Sequence, residues 1–152
     1  MDINQFASQF AVNLDDSKLV KIGKHYYYAD KSLSEIRSKI TRDVFSLGIY
    51  LGEQDKHFNP SPGFIDILAK LASKRKVFVN KKAEGLFLYG RNILLDSISK
   101  NPENIREGIV LVQNEKDENL GYGLFQTQGK DIVVKNLLDK GWYLRKEQRK
   151  RK

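Results

Sequence analysis

The spacing of hydrophobic positions in the first half of the chain predicts a small mixed α/β unit. Two short apolar runs, Leu19–Ile22 and His25–Ala29, flank Gly23 and predict two strands joined by a turn. Ser32 and Glu35 form an S-x-x-E pair, which is typical of a helix N-terminus with Ser32 as the cap. We therefore expect a hairpin followed directly by a helix.

A further strand and the clearest helix of the chain follow. Val44–Leu51 is largely apolar and includes the β-branched residues Val44 and Ile49, so it predicts a strand. Ser61 and Pro62 form an N-cap and first-turn pair, which predicts a helix that ends near Ser73. The apolar residues that recur on one face of this helix are Phe64, Ile65, Leu68, Leu71 and Ala72.

The hydrophobic pattern changes after this helix. Short apolar runs now alternate with Gly, Asn, Asp and Lys, a spacing that predicts the strands of a small β-barrel. The runs are Val77–Val79, Leu86–Tyr89, Ile109–Val112, Leu120–Phe125 and Ile132–Val134. We expect an α+β chain with two domains. Residues 1–74 would form an α/β domain with a mostly antiparallel sheet and flanking helices, and residues 75–152 a small barrel.

The charge distribution adds a partner to this picture. The chain of 152 residues has a formal net charge of +8. Residues 140–152 contain seven basic residues and one acidic residue, so six of the eight net charges lie in this C-terminal segment. Such a concentration favours a polyanionic partner. Charge alone leaves two alternatives open: a solvated tail without a target, and the surface of an anionic membrane. The apolar runs are too short to span a bilayer.

The basic residues of the C-terminal segment have helical spacing. If the chain is helical from Leu138 onward, Arg145, Arg149 and Lys152 lie along one stripe with Lys146 beside it. These four residues, the basic stripe, suit the phosphate backbone of a nucleic acid. A frayed chain end is the alternative.

A second basic group surrounds the predicted strand Val77–Val79. Its members, which we predict as a secondary RNA-binding surface, are Lys74, Arg75, Lys76, Lys81 and Lys82. Aromatic side chains can stack on the bases of single-stranded RNA, although packing in the core is their usual role. Trp142 and Tyr143 stand out because they directly precede the basic residues. Anchoring of the tail onto the barrel is the alternative role for this pair.

The sequence contains no motif that calls for catalysis or for a metal. It has no cysteine, and His25 and His57 lack neighbours at metal-ligand spacing. Gly121 and Gly123 begin like a dinucleotide-binding fingerprint, but the third glycine is missing. They predict instead a bend in a strand or a close approach of two backbones. We therefore expect a protein that is not an enzyme and that needs no cofactor or metal.

Six segments of the second half follow one another in a recognisable order. They are Lys76–Glu84, Phe87–Leu94, Glu107–Val110, Leu120–Gly123, Ile132–Val134 and Asp139–Arg145. In this combination the chain resembles the Nip seven family of ribosome-biogenesis proteins. The Phe-Leu-Tyr-Gly segment and the Asp-x-Gly-x-Tyr-x-Arg segment are fairly specific together. The N-terminal half matches that family more loosely, through Tyr26–Tyr28, Val44–Leu51 and the helix after Pro62.

The resemblance implies that the barrel is a PUA-type pseudo-barrel. It also implies a function: a non-catalytic factor in large ribosomal subunit assembly and pre-rRNA processing, which binds single-stranded or flexible RNA. The basic RNA-contacting positions of the family fall on Arg145, Lys146, Arg149 and Lys152. A preference for uridine-rich segments would be consistent with this role.

The resemblance further implies partners and a location. We expect ribosomal RNA or pre-rRNA, pre-ribosomal large-subunit proteins and the exosome as partners, no membrane, and a monomer. The short chain, its lysine-rich composition and the retained basic stripe suggest an archaeal, cytoplasmic protein; a eukaryotic member would be nucleolar or nuclear. Two alternative functions stay open. One is an adaptor that links pre-ribosomes or the exosome to acidic protein partners, and the other is an RNA-modifying enzyme.

Overall fold

The structure is a computed structural model that describes residues 1–100, 106–128, 131–142 and 145–146. The chain divides into two compact units, residues 1–68 and residues 69–152. Within the described residues, the first unit contains a four-stranded sheet and the second a six-stranded sheet. The domain boundary at residue 75 stays a prediction, a few residues beyond this division.

The first unit combines an antiparallel sheet with short helices. The elements in chain order are α1 (Ile3–Ser8), a 3-10 helix (Asp16–Lys18), β1 (Leu19–Ile22), β2 (His25–Tyr28), α2 (Lys31–Lys39), β3 (Ile49–Gln54), β4 (Phe58–Pro60) and α3 (Pro62–Leu71). The strands are ordered β1-β2-β3-β4, each antiparallel to the next. The predicted hairpin is confirmed: Gly23 has a φ of +58° in the turn, and Val20 pairs with Tyr27.

The structure corrects two predictions in this unit. Helix α2 is capped by Asp30, not by Ser32, because the Asp30 carboxylate accepts a 2.8 Å hydrogen bond from the backbone N–H of Leu33. The strand predicted over Val44–Leu51 begins only at Ile49. The preceding residue, Gly48, has a φ of +70°, a left-handed conformation that interrupts extended backbone.

The helix after Ser61 forms as predicted. The Ser61 hydroxyl accepts a hydrogen bond from the backbone N–H of Phe64 at 3.1 Å, and the helix ends at Leu71, slightly before the predicted end. Phe64 is fully buried, and its ring centre lies 6.3 Å from that of Phe6. Phe6 also contacts Phe58, with 5.8 Å between ring centres. These aromatic rings form one part of the core of the first unit, and a second buried cluster comprises Val20, Tyr27, Ala29 and Leu47.

The second unit is a nearly closed, barrel-like sheet. Its described residues include one α-helix that is longer than a single turn. The elements are β5 (Lys76–Val79), α4 (Lys81–Leu88), β6 (Ile93–Leu94), a 3-10 helix (Leu95–Ser97), β7 (Ile98–Lys100), β8 (Gly108–Gln113), β9 (Asn119–Gln128) and β10 (Asp131–Asp139). The strand order is β6-β10-β9-β8-β5-β7, and β5 and β8 are parallel neighbours. Helix α4 packs into the core of this unit through Ala83 and Phe87.

Two predicted elements of the second unit are wrong. The run Leu86–Tyr89 is predicted as a strand, but its first three residues form the end of α4 and Tyr89 is the C-cap of that helix. This helix begins where the Asn80 side chain accepts a 2.9 Å hydrogen bond from the backbone N–H of Ala83. The condition set for the basic stripe, a helical chain from Leu138 onward, also fails, because Leu138 lies in β10 and pairs with Tyr122 of β9. The chain turns helical only after β10, and helical conformation is described at residues 142, 145 and 146.

The interpretation of Gly121 and Gly123 is confirmed. Gly121 has a φ of +144°, and a methyl group there would overlap the carbonyl oxygen of Leu138 on β10. A methyl group at Gly123 would lie 2.6 Å from the carbonyl oxygen of Lys135. The two glycines therefore allow the backbones of β9 and β10 to approach closely.

Candidate nucleic-acid interface

A cleft lies between the end of α4 and the chain that follows β10. It has a volume of about 470 Å³, and we call it the aromatic–basic cleft after its lining residues, which are Tyr89, Gly90, Trp142, Arg145 and Lys146. Clefts that bind small ligands have volumes of roughly 300–1,000 Å³. The aromatic–basic cleft is therefore large enough to hold part of a ligand such as a nucleotide.

Arg145 is held by a bidentate ion pair with Asp139. The two guanidinium nitrogens Nη1 and Nη2 lie 2.8 Å and 2.7 Å from the carboxylate oxygens. Asp139 is 3% exposed, so its charge needs this partner. The hydrogen bonds to Asp139 raise the pKa of Arg145 above its ordinary value. Arg145 is therefore always charged and fixed in orientation.

The same guanidinium group also caps helix α4. Its Nη1 atom donates to the carbonyl oxygen of Leu88, the last residue of the helix. Asn136 of β10 donates from its side-chain amide to the carbonyl oxygen of Phe87 at 2.8 Å. Carbonyl groups in the last turn of a helix have no partner within the helix, so side chains on and after β10 satisfy two of them here. These contacts fix the residue that follows the helix, Tyr89, relative to the chain after β10.

Two glycines make room for Arg145. A methyl group at Gly141 would overlap the carbonyl oxygen of Leu88 and lie 2.8 Å from Nη1 of Arg145. Gly90 has a φ of +82°, and a methyl group there would lie 3.2 Å from Nη2. The Asp-x-Gly-x-Tyr-x-Arg segment therefore has a structural explanation: its Asp and Arg form the ion pair, and its Gly lets the helix end approach.

The open side of the cleft carries two aromatic rings and a lysine. Tyr89 is 75% exposed and Trp142 is 39% exposed. The ammonium group of Lys146, itself an exposed residue, lies 4.5 Å from the centre of the Trp142 ring, which is a cation–π geometry. Rings for stacking and a positive charge are the two components that single-stranded nucleic-acid sites combine.

The structure brings two members of the predicted basic stripe to this cleft. They are Arg145 and Lys146; Arg149 and Lys152 lie outside the described residues. The side chain of Arg145 is 28% exposed, and its donors are directed at Asp139 and Leu88. A phosphate contact by any of the four residues stays a prediction.

In the second basic group, Arg75 has contacts within the protein. Its Nε atom donates to the carbonyl oxygen of Ile109 at 2.6 Å, and its Nη2 atom donates to that of Arg106 at 3.0 Å. Burial lowers the pKa of Arg75. Arg75 also has a φ of +61°, which is uncommon for a residue other than glycine. These contacts tie the residue before β5 to the start of β8.

The lysines of this group are divided. Lys76 forms an ion pair with Asp117 at 3.3 Å, and Lys81 forms one with Glu84 at 3.1 Å. Three of the four lysines are exposed: Lys74, Lys81 and Lys82. The role of this group as a secondary RNA-binding surface stays a prediction. The pairing of Lys76 and Lys81 reduces the positive potential that they can offer to a phosphate.

Sequence reasoning missed three residues of the cleft region. The hydrophobic pattern predicts a strand at Tyr89, and it indicates no role in the site for Gly90 or Asp139. The signal for all three lay in the Phe-Leu-Tyr-Gly and Asp-x-Gly-x-Tyr-x-Arg segments, which place them beside Arg145. In the described ranges of the chain, no three His, Asp or Glu side chains are arranged to hold a metal ion. Nor does any described helix have the length and apolar character needed to cross a bilayer.

The barrel and its cleft define a PUA-domain protein, and comparisons with known proteins agree. A family model described as the UPF0113 PUA domain matches residues 75–148. A solved structure described as a conserved PUA domain protein from Thermoplasma acidophilum is similar in fold, with a TM-score of 0.55, 15% identity, and coverage of 91% of this chain and 88% of that one. The expected fold class, α+β with a PUA-type pseudo-barrel, is thereby confirmed.

Sequence relatives identify the family. The "60S ribosome subunit biogenesis protein NIP7 homolog" of Xenopus tropicalis is 32% identical over 134 residues, which cover 80% of this chain and 73% of that one. A UPF0113 protein of Archaeoglobus fulgidus is 35% identical over 107 residues, which cover 64% of this chain and 60% of that one. A UPF0113 protein of Aeropyrum pernix is matched over 58% of its length. The chain therefore spans less than two thirds of these two archaeal relatives. It belongs to the family of UPF0113 and NIP7 proteins, and the predicted resemblance is confirmed.

Proposed function

We propose that this protein is a non-catalytic RNA-binding factor in large ribosomal subunit assembly and pre-rRNA processing. Relatives that carry the name of a 60S biogenesis protein support the assembly role, and the PUA domain supports RNA binding. The observation that carries the proposal is the aromatic–basic cleft, because it lies at the start of the most basic segment of the chain.

RNA binding by this segment is electrostatic in our proposal. Lys146, together with Arg149 and Lys152, neutralises phosphates of a single-stranded or flexible RNA. Each phosphate neutralised contributes roughly −0.7 to the slope of log affinity against log salt, so three contribute about −2. Arg145 contributes less to this slope, because Asp139 already balances its charge.

The test is fluorescence anisotropy with short labelled single-stranded RNAs at several salt concentrations. The variant replaces Lys146, Arg149 and Lys152 by alanine and keeps Arg145, whose removal would leave Asp139 without its partner. A control variant removes the same number of charges from exposed positions of the first unit, namely Lys39, Arg42 and Lys56.

The C-terminal triple variant should lose most of the affinity, and its salt slope should be smaller in magnitude by about 2. The control variant should bind nearly as tightly as the unmodified protein. Equal losses in both variants would mean that only net charge matters and would overturn the assignment to the C-terminal segment. If the unmodified protein bound no RNA, the RNA-binding function itself would fail.

The partners and the state of assembly complete the proposal. We propose that the protein acts as a monomer on ribosomal RNA or pre-rRNA, beside pre-ribosomal large-subunit proteins, with the exosome as a further partner. Sedimentation of the pure protein tests the monomer, and co-sedimentation with pre-ribosomal particles tests the association. Two outcomes would favour the alternatives. Association that survives nuclease treatment and loss of the C-terminal charges would favour a protein-interaction adaptor, and turnover of RNA by the pure protein would favour an RNA-modifying enzyme.

A further inference from the structure

Tyr89 combines an exposed ring with a fixed backbone. Its side chain is 75% exposed, so the ring contributes little to the core. Its backbone N–H donates to the carbonyl oxygens of Gly85 and Leu86, both at 3.1 Å, and the N–H of Gly90 donates to Phe87 at 2.9 Å. An exposed aromatic residue is unremarkable alone. This one, however, lines a cleft and is held in place at its backbone, which reduces the conformational entropy lost when a ligand binds its ring.

Trp142 lines the same cleft from the chain after β10. In sequence, Trp142 lies between Asp139 and Arg145, which form an ion pair. The Arg145 side chain also donates a hydrogen bond to the carbonyl oxygen of Leu88, the neighbour of Tyr89. The Arg145 side chain therefore links the positions of the two aromatic residues that line the cleft, Tyr89 and Trp142.

The charge of the cleft is small. The positive charge of Arg145 is balanced by Asp139, which leaves Lys146 as the net cation among the lining residues. A site for several phosphates would need several cations whose charge is not already balanced. Two aromatic residues with a single net positive charge instead match one nucleotide, whose base is apolar on both faces and whose phosphate carries one negative charge.

We infer that the aromatic–basic cleft binds one unpaired nucleobase of an RNA strand by stacking on the rings of Tyr89 and Trp142, while Lys146 contacts the phosphate of that nucleotide. The inference rests on the proposed function and deepens it, since it names the part of the RNA that this site recognises. Lys146 now lies over the Trp142 ring, and its flexible side chain can turn from the ring to a phosphate. Arg145 is a positioning residue that keeps the two aromatic walls together.

Trp142 provides a direct probe, because it is the only tryptophan in the chain. The experiment follows its fluorescence while the full chain is titrated with a short oligouridylate, and then with a matched oligomer in which every base is missing. Anisotropy gives the two affinities in parallel. The oligouridylate should quench the fluorescence. The abasic oligomer should leave it nearly unchanged and bind about 5- to 150-fold more weakly, the range expected for stacking of one base.

Two variants separate stacking from other contributions. Tyr89→Leu keeps an apolar side chain but removes the ring, whereas Tyr89→Phe keeps the ring and removes the hydroxyl. Since this position is exposed, both variants should keep the melting temperature of the unmodified protein. Tyr89→Leu should weaken oligouridylate binding at least about 5-fold and leave abasic binding unchanged. Tyr89→Phe should bind like the unmodified protein.

The outcomes distinguish this inference from the proposed function. Equal affinities for the oligouridylate and the abasic oligomer would overturn base stacking while leaving phosphate binding intact. An equal loss in Tyr89→Leu and Tyr89→Phe would also overturn stacking, because it would assign the contribution to the hydroxyl. If the unmodified protein bound neither oligomer, the proposed function would fail together with the inference.

Discussion

Replacement of Arg145 by alanine should destabilise the second unit. The variant would leave the Asp139 carboxylate, whose side chain is 2% exposed, without its bidentate partner. Loss of one member of a buried ion pair typically costs about 3–5 kcal/mol. The Arg145 side chain is 28% exposed, and water can enter the space that it leaves, so we expect the lower end of this range, about 3 kcal/mol. The lost hydrogen bond to Leu88 is part of this total.

Urea unfolding followed by Trp142 fluorescence measures this loss, since the only tryptophan reports on the second unit. Lys146→Ala is the matched control: it removes one positive charge from the adjacent exposed position and should change the free energy of unfolding by less than about 0.5 kcal/mol. Arg145→Lys keeps the charge but loses the bidentate geometry, so its stability should be intermediate.

A double variant tests whether the cost comes from the unpaired carboxylate. Replacing Asp139 by leucine and Arg145 by methionine removes both charges, and such a change is often neutral for a buried pair. The double variant should therefore recover most of the stability lost in Arg145→Ala. The reasoning would be refuted if Arg145→Ala were as stable as Lys146→Ala, because Asp139 would then not need its partner.

Three further predictions concern other parts of the fold. Gly121→Ala should destabilise the protein by at least about 2 kcal/mol in urea unfolding, because the added methyl group would overlap the Leu138 carbonyl oxygen; a smaller loss would mean that the two strands can separate without cost. Ser61→Ala should lower the free energy of unfolding by about 1–2 kcal/mol, because it removes both the N-cap and the hydrogen bond that the hydroxyl donates to the Tyr50 carbonyl oxygen, whereas Ser61→Thr, which keeps a hydroxyl, should retain most of it. The N–H of Thr127 donates to Glu107 and lowers the pKa of this carboxylate below its ordinary value of 4.5. The ionised Glu107 therefore stabilises the fold above pH 4.5, and this contribution is lost as the pH falls through the lowered pKa of the carboxylate. Between a pH above 4.5 and a pH below the lowered pKa, the urea midpoint should change less in Glu107→Gln than in the unmodified protein.

Local signals in the sequence predicted the elements whose ends are determined by neighbouring residues. The hairpin at Gly23 and the helix after Ser61 are of this kind, since a turn glycine and a capping hydroxyl act within a few residues. The run Leu86–Tyr89 predicts a strand incorrectly, because four apolar residues fit a buried strand as well as a helix end. Asn80, which caps the helix that contains them, was the signal that would have decided between the two.

The end of β10 could not be predicted in the same way. Leu138 fits the helical spacing of the basic residues that follow, but the pairing of β10 with β9 continues through it to Asp139. This pairing depends on Gly121, which lets the two strands approach at a distant point of the sequence. Helical periodicity describes a segment in isolation, whereas the length of a strand depends on the partner strand as well.

The roles of the basic residues illustrate the same limit for the site. The sequence predicts the same role for Arg145 and Lys146, because both belong to one basic segment. The structure separates them: Arg145 is bonded to a buried carboxylate and to the end of α4, while Lys146 lies on an exposed ring. A positive charge can bind an external phosphate only to the extent that it is not already balanced within the protein. Under our proposal, Lys146 is therefore the described residue of the stripe that is better suited to contact RNA, and Arg145 would support that contact by holding Tyr89 and Trp142 in place.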